Sequence, residues 1–205
     1  KMIMDEYKQL KRATAGQKSL TKKAFEANAL RNRYKDVGCW DQSRVVLTGT
    51  GTRDYIHGNW VDGALKRRQF IATQGPLDMV PGQFEATTGD FWQMIWDEKV
   101  TVIVMLCQTE EQGKAKCSQY WPLKAGERQE HGVMAVETKE TGTRKIKDHL
   151  ISVSTLELLK DGCTNPRSVV HFLRHNWPAR KSPPSAYQTV EFVTRCHSAH
   201  KTVCE

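Results

Sequence analysis

The chain has 205 residues, 39% of them apolar, and its 31 basic against 23 acidic side chains leave a net charge of +8. That is enough for one substantial core, with no composition shift to divide it, and the interspersed charges form no basic arm of the kind that grips nucleic acid. No apolar run reaches membrane-spanning length, the first residues are charged rather than signal-like, and the six cysteines form no close-paired framework, so a cytoplasmic domain with reduced thiols and no membrane insertion is expected.

In chain order, Ile3, Tyr7 and Leu10 recur at helical spacing, and a second helix is expected after the breaker Gly16, with Ser19 as its potential cap. Runs rich in β-branched and aromatic residues predict strands over 44–47, 54–61, 69–73 and 100–106. The last, VTVIVML, reads as a buried central strand. TGDFWQMIWDE, from residue 88, predicts a helix with Phe91, Met94 and Ile95 on one face. Further strands are expected over 133–139, 145–153 and 169–175. A closing helix over about 185–200 carries Ala186, Val190 and Val193 on one face. This order predicts an α+β domain around one mixed sheet.

Several stretches then carry chemistry. They are NRYKDV at 32–37, SRVVL at 43–47, DYIHGNWVDG at 54–63, FIATQGPL at 70–77, DFWQMIW at 90–96, KCSQYWP at 116–122 and NWP at 176–178. Taken singly each is weak; in this succession they resemble the phosphotyrosine-specific protein tyrosine phosphatase domain, most strongly over residues 20–195. The resemblance implies a twisted mixed β-sheet flanked by helices and a pocket that reads phosphotyrosine. It also implies residue roles. Tyr34 would stack on the substrate ring, Asp36 would accept hydrogen bonds from the substrate backbone, and Lys116 would help hold the phosphate dianion. Gln74, Gly75 and Pro76 read as a scaffold corner, in which the amide side chain bonds backbone.

Hydrolysis of phosphotyrosine in that family requires a thiolate at a helix start and an arginine six residues on, to grip two phosphate oxygens. None of Cys39, Cys107, Cys117, Cys163 or Cys196 has an arginine at that spacing, and Cys204 is almost terminal. Cys196-His197-Ser198-Ala199 looks like a shuffled nucleophile motif, but it follows EFVTR inside an expected helix rather than a buried strand. By register, Arg195 closes the helix that precedes the family's nucleophile strand. The expectation is therefore a single, incomplete domain over residues 1–205 with the C-terminal portion of the fold absent, which would leave VTVIVML without a neighbouring strand.

The family's general acid is the aspartate of Trp-Pro-Asp. Here Trp177 and Pro178 keep the loop scaffold, and Ala179 occupies the acid position. The stretch from Gly-Pro-Leu to Phe-Trp, residues 78–89, is also about twice as long as the family pattern. The resulting expectation is a catalytically inactive, pseudophosphatase-like domain that binds a phosphotyrosine-bearing or other signalling protein, without cofactor or metal. The alternative is a fragment of a longer phosphatase whose Cys-x5-Arg loop follows residue 205. Cys196, His197, His200 and Cys204 also offer four soft ligands within nine residues, but one helix cannot aim them at a common zinc ion.

Overall fold

The computed structural model describes residues 2–15, 20–48, 53–64, 66–146, 149–175, 177, 182–183, 185–204. Helix α1 (Met2–Ala15) forms where the Ile3, Tyr7 and Leu10 spacing predicts one, although all three side chains stay exposed. Helix α2 (Lys23–Ala27) is shorter than expected and is followed by a 3-10 turn over Ala29–Arg31. Its start is set from a distance. The Asp41 carboxylate accepts hydrogen bonds from the Lys23 and Ala24 amides and the Thr21 hydroxyl, closing donors that a helix start leaves unpaired. Ser19, the expected cap, lies outside the described residues.

Strands β1 (Arg44–Val46), β2 (Tyr55–Val61) and β3 (Phe70–Thr73) form an antiparallel sheet in that order. Helix α3 (Thr88–Asp97) buries five consecutive residues, Phe91 to Ile95, which makes it a core helix rather than a half-solvated one. Trp92 is fully buried, and its indole N–H donates to the Tyr120 carbonyl at 2.8 Å.

After β4 (Val102–Met105) comes a small hairpin, β5 (Glu110–Glu111) and β6 (Lys114–Ala115). Its turn residues Gln112 and Gly113 have φ of 53° and 70°, the paired left-handed geometry that a two-residue hairpin turn favours. Then follow β7 (Arg128–His131), β8 (Met134–Ile146), β9 (His149–Lys160), β10 (Arg167–Arg174) and helix α4 (Ala186–Cys204). The main sheet has the order β4-β10-β9-β8-β7, parallel between β4 and β10 and antiparallel elsewhere, so the mixed α+β architecture is as expected.

Three expectations need correction. The strands divide among a five-stranded, a three-stranded and a two-stranded sheet rather than joining one. VTVIVML is an edge strand and not a central one: Ile103 and Met105 point into the core, while Val104 and Leu106 are exposed. Strands β8 and β9 also extend well past the predicted ranges: KETGTRK keeps pairing with β9 after a bulge between Thr138 and Glu140, and β9 runs on to Lys160 opposite Met134. That stretch lacks the apolar alternation that marks a strand, since its exposed half packs on water.

The long 78–89 stretch leaves the scaffold undisturbed because its neck is closed. Thr87 donates its amide to the Leu77 carbonyl, and the Leu77 amide returns a bond to the Thr87 hydroxyl, at 3.0 and 2.9 Å. Above the neck a Val80–Phe84 bridge closes a turn, and the Glu85 amide donates to the Leu30 carbonyl. Buried Arg31 pairs with Asp90 in the first turn of α3 and lies 3.8 Å from Glu85, so charge ties this loop to the 3-10 turn.

Candidate functional site

The NRYKDV segment is fixed from below and open above. Buried Asn32 donates to the Phe25 and Asn28 carbonyls, and its amide oxygen accepts from the Tyr55 hydroxyl at 2.5 Å. Next to it, the Arg33 amide donates to the Gln74 side chain at 2.9 Å, and the Gln74 amide group donates to the Arg31 carbonyl. The Gln74-Gly75-Pro76 corner therefore has the backbone-bonding duty expected of it. The Arg33 guanidinium completes the clamp, donating to the carbonyls of Pro76, Gly75 and Ala115 at 2.9, 3.4 and 3.3 Å.

With the backbone pinned at residues 31 to 33, Tyr34 is turned outward, 41% exposed. Lys116 reaches it from the β5–β6 hairpin: its ammonium donates to the Tyr34 hydroxyl at 3.3 Å and lies 5.9 Å from the ring centroid. Lys116 itself is placed by its amide bond to the Thr109 carbonyl, which continues the hairpin ladder. Asp36 lies exposed two residues beyond Tyr34. The structure thus brings Tyr34 and Lys116 together, a ring beside a cation, with a carboxylate nearby in sequence.

The loop scaffold is held at its base. Arg174, 1% exposed at the end of β10, has its guanidinium carbon 4.9 Å from the Trp177 ring centroid and 5.7 Å from that of Phe192, and it donates to the Thr189 hydroxyl of α4. Gln108 donates to the carbonyls of Arg174 and His175 at 3.2 and 3.3 Å, and so joins the base of this loop to the chain entering the Lys116 hairpin. Pro178 and Ala179 lie outside the described residues. Arg33, Gln108 and Arg174 were not legible as site-building residues; each acts on carbonyls or rings far away in sequence, and no local pattern announces that.

Cys117 is packed beneath the Gly75 corner. A Cβ added at Gly75 would sit 2.9 Å from the Cys117 sulfur and 3.0 Å from both its Cβ and the Lys116 carbonyl. Backbone and side-chain root cannot swing aside, so Gly75→Ala is expected to destabilise the domain by about 1–3 kcal/mol, read as a lower urea midpoint.

Two of the soft residues of α4 are engaged separately. Cys196 packs with Ile151, Phe172 and Phe192, which pushes its thiol up to about 12 through burial, while the His200 ring lies 2.7 Å from the Thr101 hydroxyl. Among the described residues no three potential ligands share a site.

The protein-tyrosine phosphatase family model matches residues 28–204. The chain belongs to the protein-tyrosine phosphatase family. It is 38% identical over 169 residues to the tyrosine-protein phosphatase non-receptor type 9 of Rattus norvegicus, covering 81% of this chain but 27% of the relative. To the receptor-type tyrosine-protein phosphatase F of Danio rerio it is 36% identical over 174 residues, 83% of this chain and 8% of that one. The chain thus spans about a quarter or less of the length of these relatives. The catalytic domain of human protein tyrosine phosphatase non-receptor type 18 superposes with a TM-score of 0.81 at 30% identity, over 95% of this chain and 68% of that one. The same phosphatase in complex with HER2 phosphor-peptides gives 0.82 at 29% identity, over 96% and 71%. Receptor and non-receptor phosphatases both match, and among the described residues no helix is long and apolar enough to cross a membrane.

Proposed function

We propose that these 205 residues form a pseudophosphatase surface that binds a phosphotyrosine-bearing signalling protein without hydrolysing it. The observation that carries the reading is the Tyr34–Lys116 pair, a half-exposed ring with an ammonium 3.3 Å from its hydroxyl, held by the Arg33 clamp. An aromatic face suits a phenyl ring, and a neighbouring cation suits the phosphate on it. Asp36 would accept the peptide's backbone N–H groups. Support comes also from the fold's likeness to a phosphatase solved with phosphor-peptides. What argues against turnover is chemical: no cysteine of the 205 residues has its arginine six positions on, and an alanine methyl at 179 donates no proton.

Fluorescence anisotropy with a phosphotyrosine peptide tests the binding. Micromolar affinity is expected, weakened about tenfold, or about 1.4 kcal/mol, by Tyr34→Ala, since both stacking and ring burial go. Lys116→Ala should reduce the affinity and flatten its dependence on salt, because a cation–dianion contact is screened. Equal binding of the unphosphorylated peptide would contradict the reading.

A second reading is favoured by the coverage of solved phosphatase chains, 68% and 71%. In it, these residues belong to a longer phosphatase with a Cys-x5-Arg loop after residue 205. The parent transcript decides directly, and Ala179 then predicts substrate held with slow turnover, since losing a general acid costs about 10²–10⁴ in rate.

A further inference from the structure

Helix α4 packs chiefly on β10 and β4, so the β9 side of that sheet face is only partly covered and Val153 is half-buried. Between helix and sheet runs a groove of about 440 Å³, a volume typical of small-ligand sites. Its floor is apolar, made by Ile151 and Val153 of β9 and Val170 and Phe172 of β10. The strand register carries that floor onto β8. Val153 stands opposite Gly142 and Ile151 opposite Arg144, and residues paired in this way share a face. Gly142 brings no side chain, and a Cβ built there would meet nothing within 4 Å. A glycine in an extended strand thus leaves the groove open beside Val153.

The polar groups are few. Thr194 and Ser198 line the helix wall, but their hydroxyls donate back to the Val190 and Thr194 carbonyls of α4. That leaves two guanidinium groups as spare donors, Arg144 from β8 and Arg195 from α4. Arg195 is bonded to Glu191 at 3.0 Å through one nitrogen, which leaves its other donors available. The Arg144 side chain is exposed and makes no ion pair with the described residues.

We propose that this groove binds a long-chain fatty acid, its hydrocarbon chain lying on Ile151, Val153, Val170 and Phe172 and its carboxylate held by Arg144 and Arg195. Charge selects the head group: two guanidinium forks suit a carboxylate and repel an ammonium. Volume selects the chain. A methylene needs about the room of one water molecule in the liquid, roughly 30 Å³, so the groove takes about fifteen carbons. An amphipathic helix is too bulky, since one turn, about 10–12 Å across and 5.4 Å long, already fills as much. The groove shares no residue with the Tyr34–Lys116 site, and the proposal is independent of phosphotyrosine recognition.

The test is isothermal titration of the full chain with saturated fatty acids from hexanoate to hexadecanoate, each below its micelle concentration. Affinity is expected to rise about fourfold for each added methylene and to level off near tetradecanoate, where the groove is full. Arg144→Gln should weaken tetradecanoate binding about tenfold, while tetradecanol, which has no charge, should bind parent and variant alike. Gly142→Leu should abolish tetradecanoate binding, because the new side chain covers Val153. Gly142 lies outside the left-handed region, so leucine fits its backbone, and phosphotyrosine-peptide binding should be unchanged in this variant. Affinity indifferent to chain length would overturn the proposal, as would tetradecanoate binding undiminished by Arg144→Gln or by Gly142→Leu. The chain-length series is read on the unaltered chain, so it decides even where a variant folds poorly.

Discussion

Incubated with p-nitrophenyl phosphate or with a phosphotyrosine peptide, the 205-residue chain is expected to release no inorganic phosphate above buffer, and Ala179→Asp by itself is expected to leave that result unchanged. Phosphate-ester hydrolysis in water is so slow that the catalysed rate depends almost wholly on a positioned nucleophile and on donors aimed at the phosphoryl oxygens. Cys107 is a thiol whose pKa is lowered, first by the Cys117 thiol, yet Gly113 stands where a phosphate-gripping arginine is required. A general acid restored at 179 would protonate a leaving group that nothing attacks. The expected deficit is therefore the whole catalysed rate, rather than the factor of about 10²–10⁴ that an acid alone supplies. A malachite-green assay over hours checks it, and phosphate release scaling with protein concentration would be a direct contradiction.

Acid should unfold the domain well before its carboxylates are neutralised. His171, 1% exposed, has its Nε2 2.7 Å from the Tyr120 hydroxyl, and its ring is stacked 4.4 Å from Trp121. Burial lowers its pKa to about 3, so the folded protein keeps it neutral while the unfolded chain takes up a proton near pH 6.5. The unfolded state thus binds more protons throughout that window. Stability is complete above about pH 6.5 and is lost progressively as pH falls toward 3. Between pH 7 and pH 5 this one residue removes about 2 kcal/mol. His57, His131 and His175 are also lowered by burial and act with the same sign. Urea unfolding at the two pH values should show the loss, and His171→Asn, less stable at pH 7, should show a smaller difference between them. An unfolding free energy equal at pH 7 and pH 5 would remove His171 from this role.

Local chemistry was the legible part of the fold. The β-branched and aromatic run in DYIHGNWVDG, the Gly-Pro corner after FIATQ, and the apolar face of TGDFWQMIWDE each predict a feature that the structure contains. What was hidden depends on partners remote in sequence. VTVIVML carries the composition of a central strand, but periodicity encodes faces, not sheet order, so its place at the sheet edge could be expected only from the family resemblance, which leaves it without a neighbouring strand. The start of α2 is determined by Asp41, well beyond the helix. At the site, Tyr34 and Lys116 were identified through the family resemblance, and their mutual contact is a consequence of folding. The links that hold them, Arg33 to the Gly75–Pro76 corner and Gln108 to the end of β10, bond to backbone carbonyls and leave no trace in residue spacing.

The central claim, recognition of phosphotyrosine without turnover, is tested most directly by phosphorus NMR of a phosphotyrosine peptide titrated with the chain. The account predicts a phosphate resonance that shifts or broadens with added protein, recovers when Tyr34→Ala is used instead, and yields no inorganic phosphate signal over hours. A growing inorganic phosphate peak, or a phosphotyrosine resonance indifferent to the protein, would contradict it.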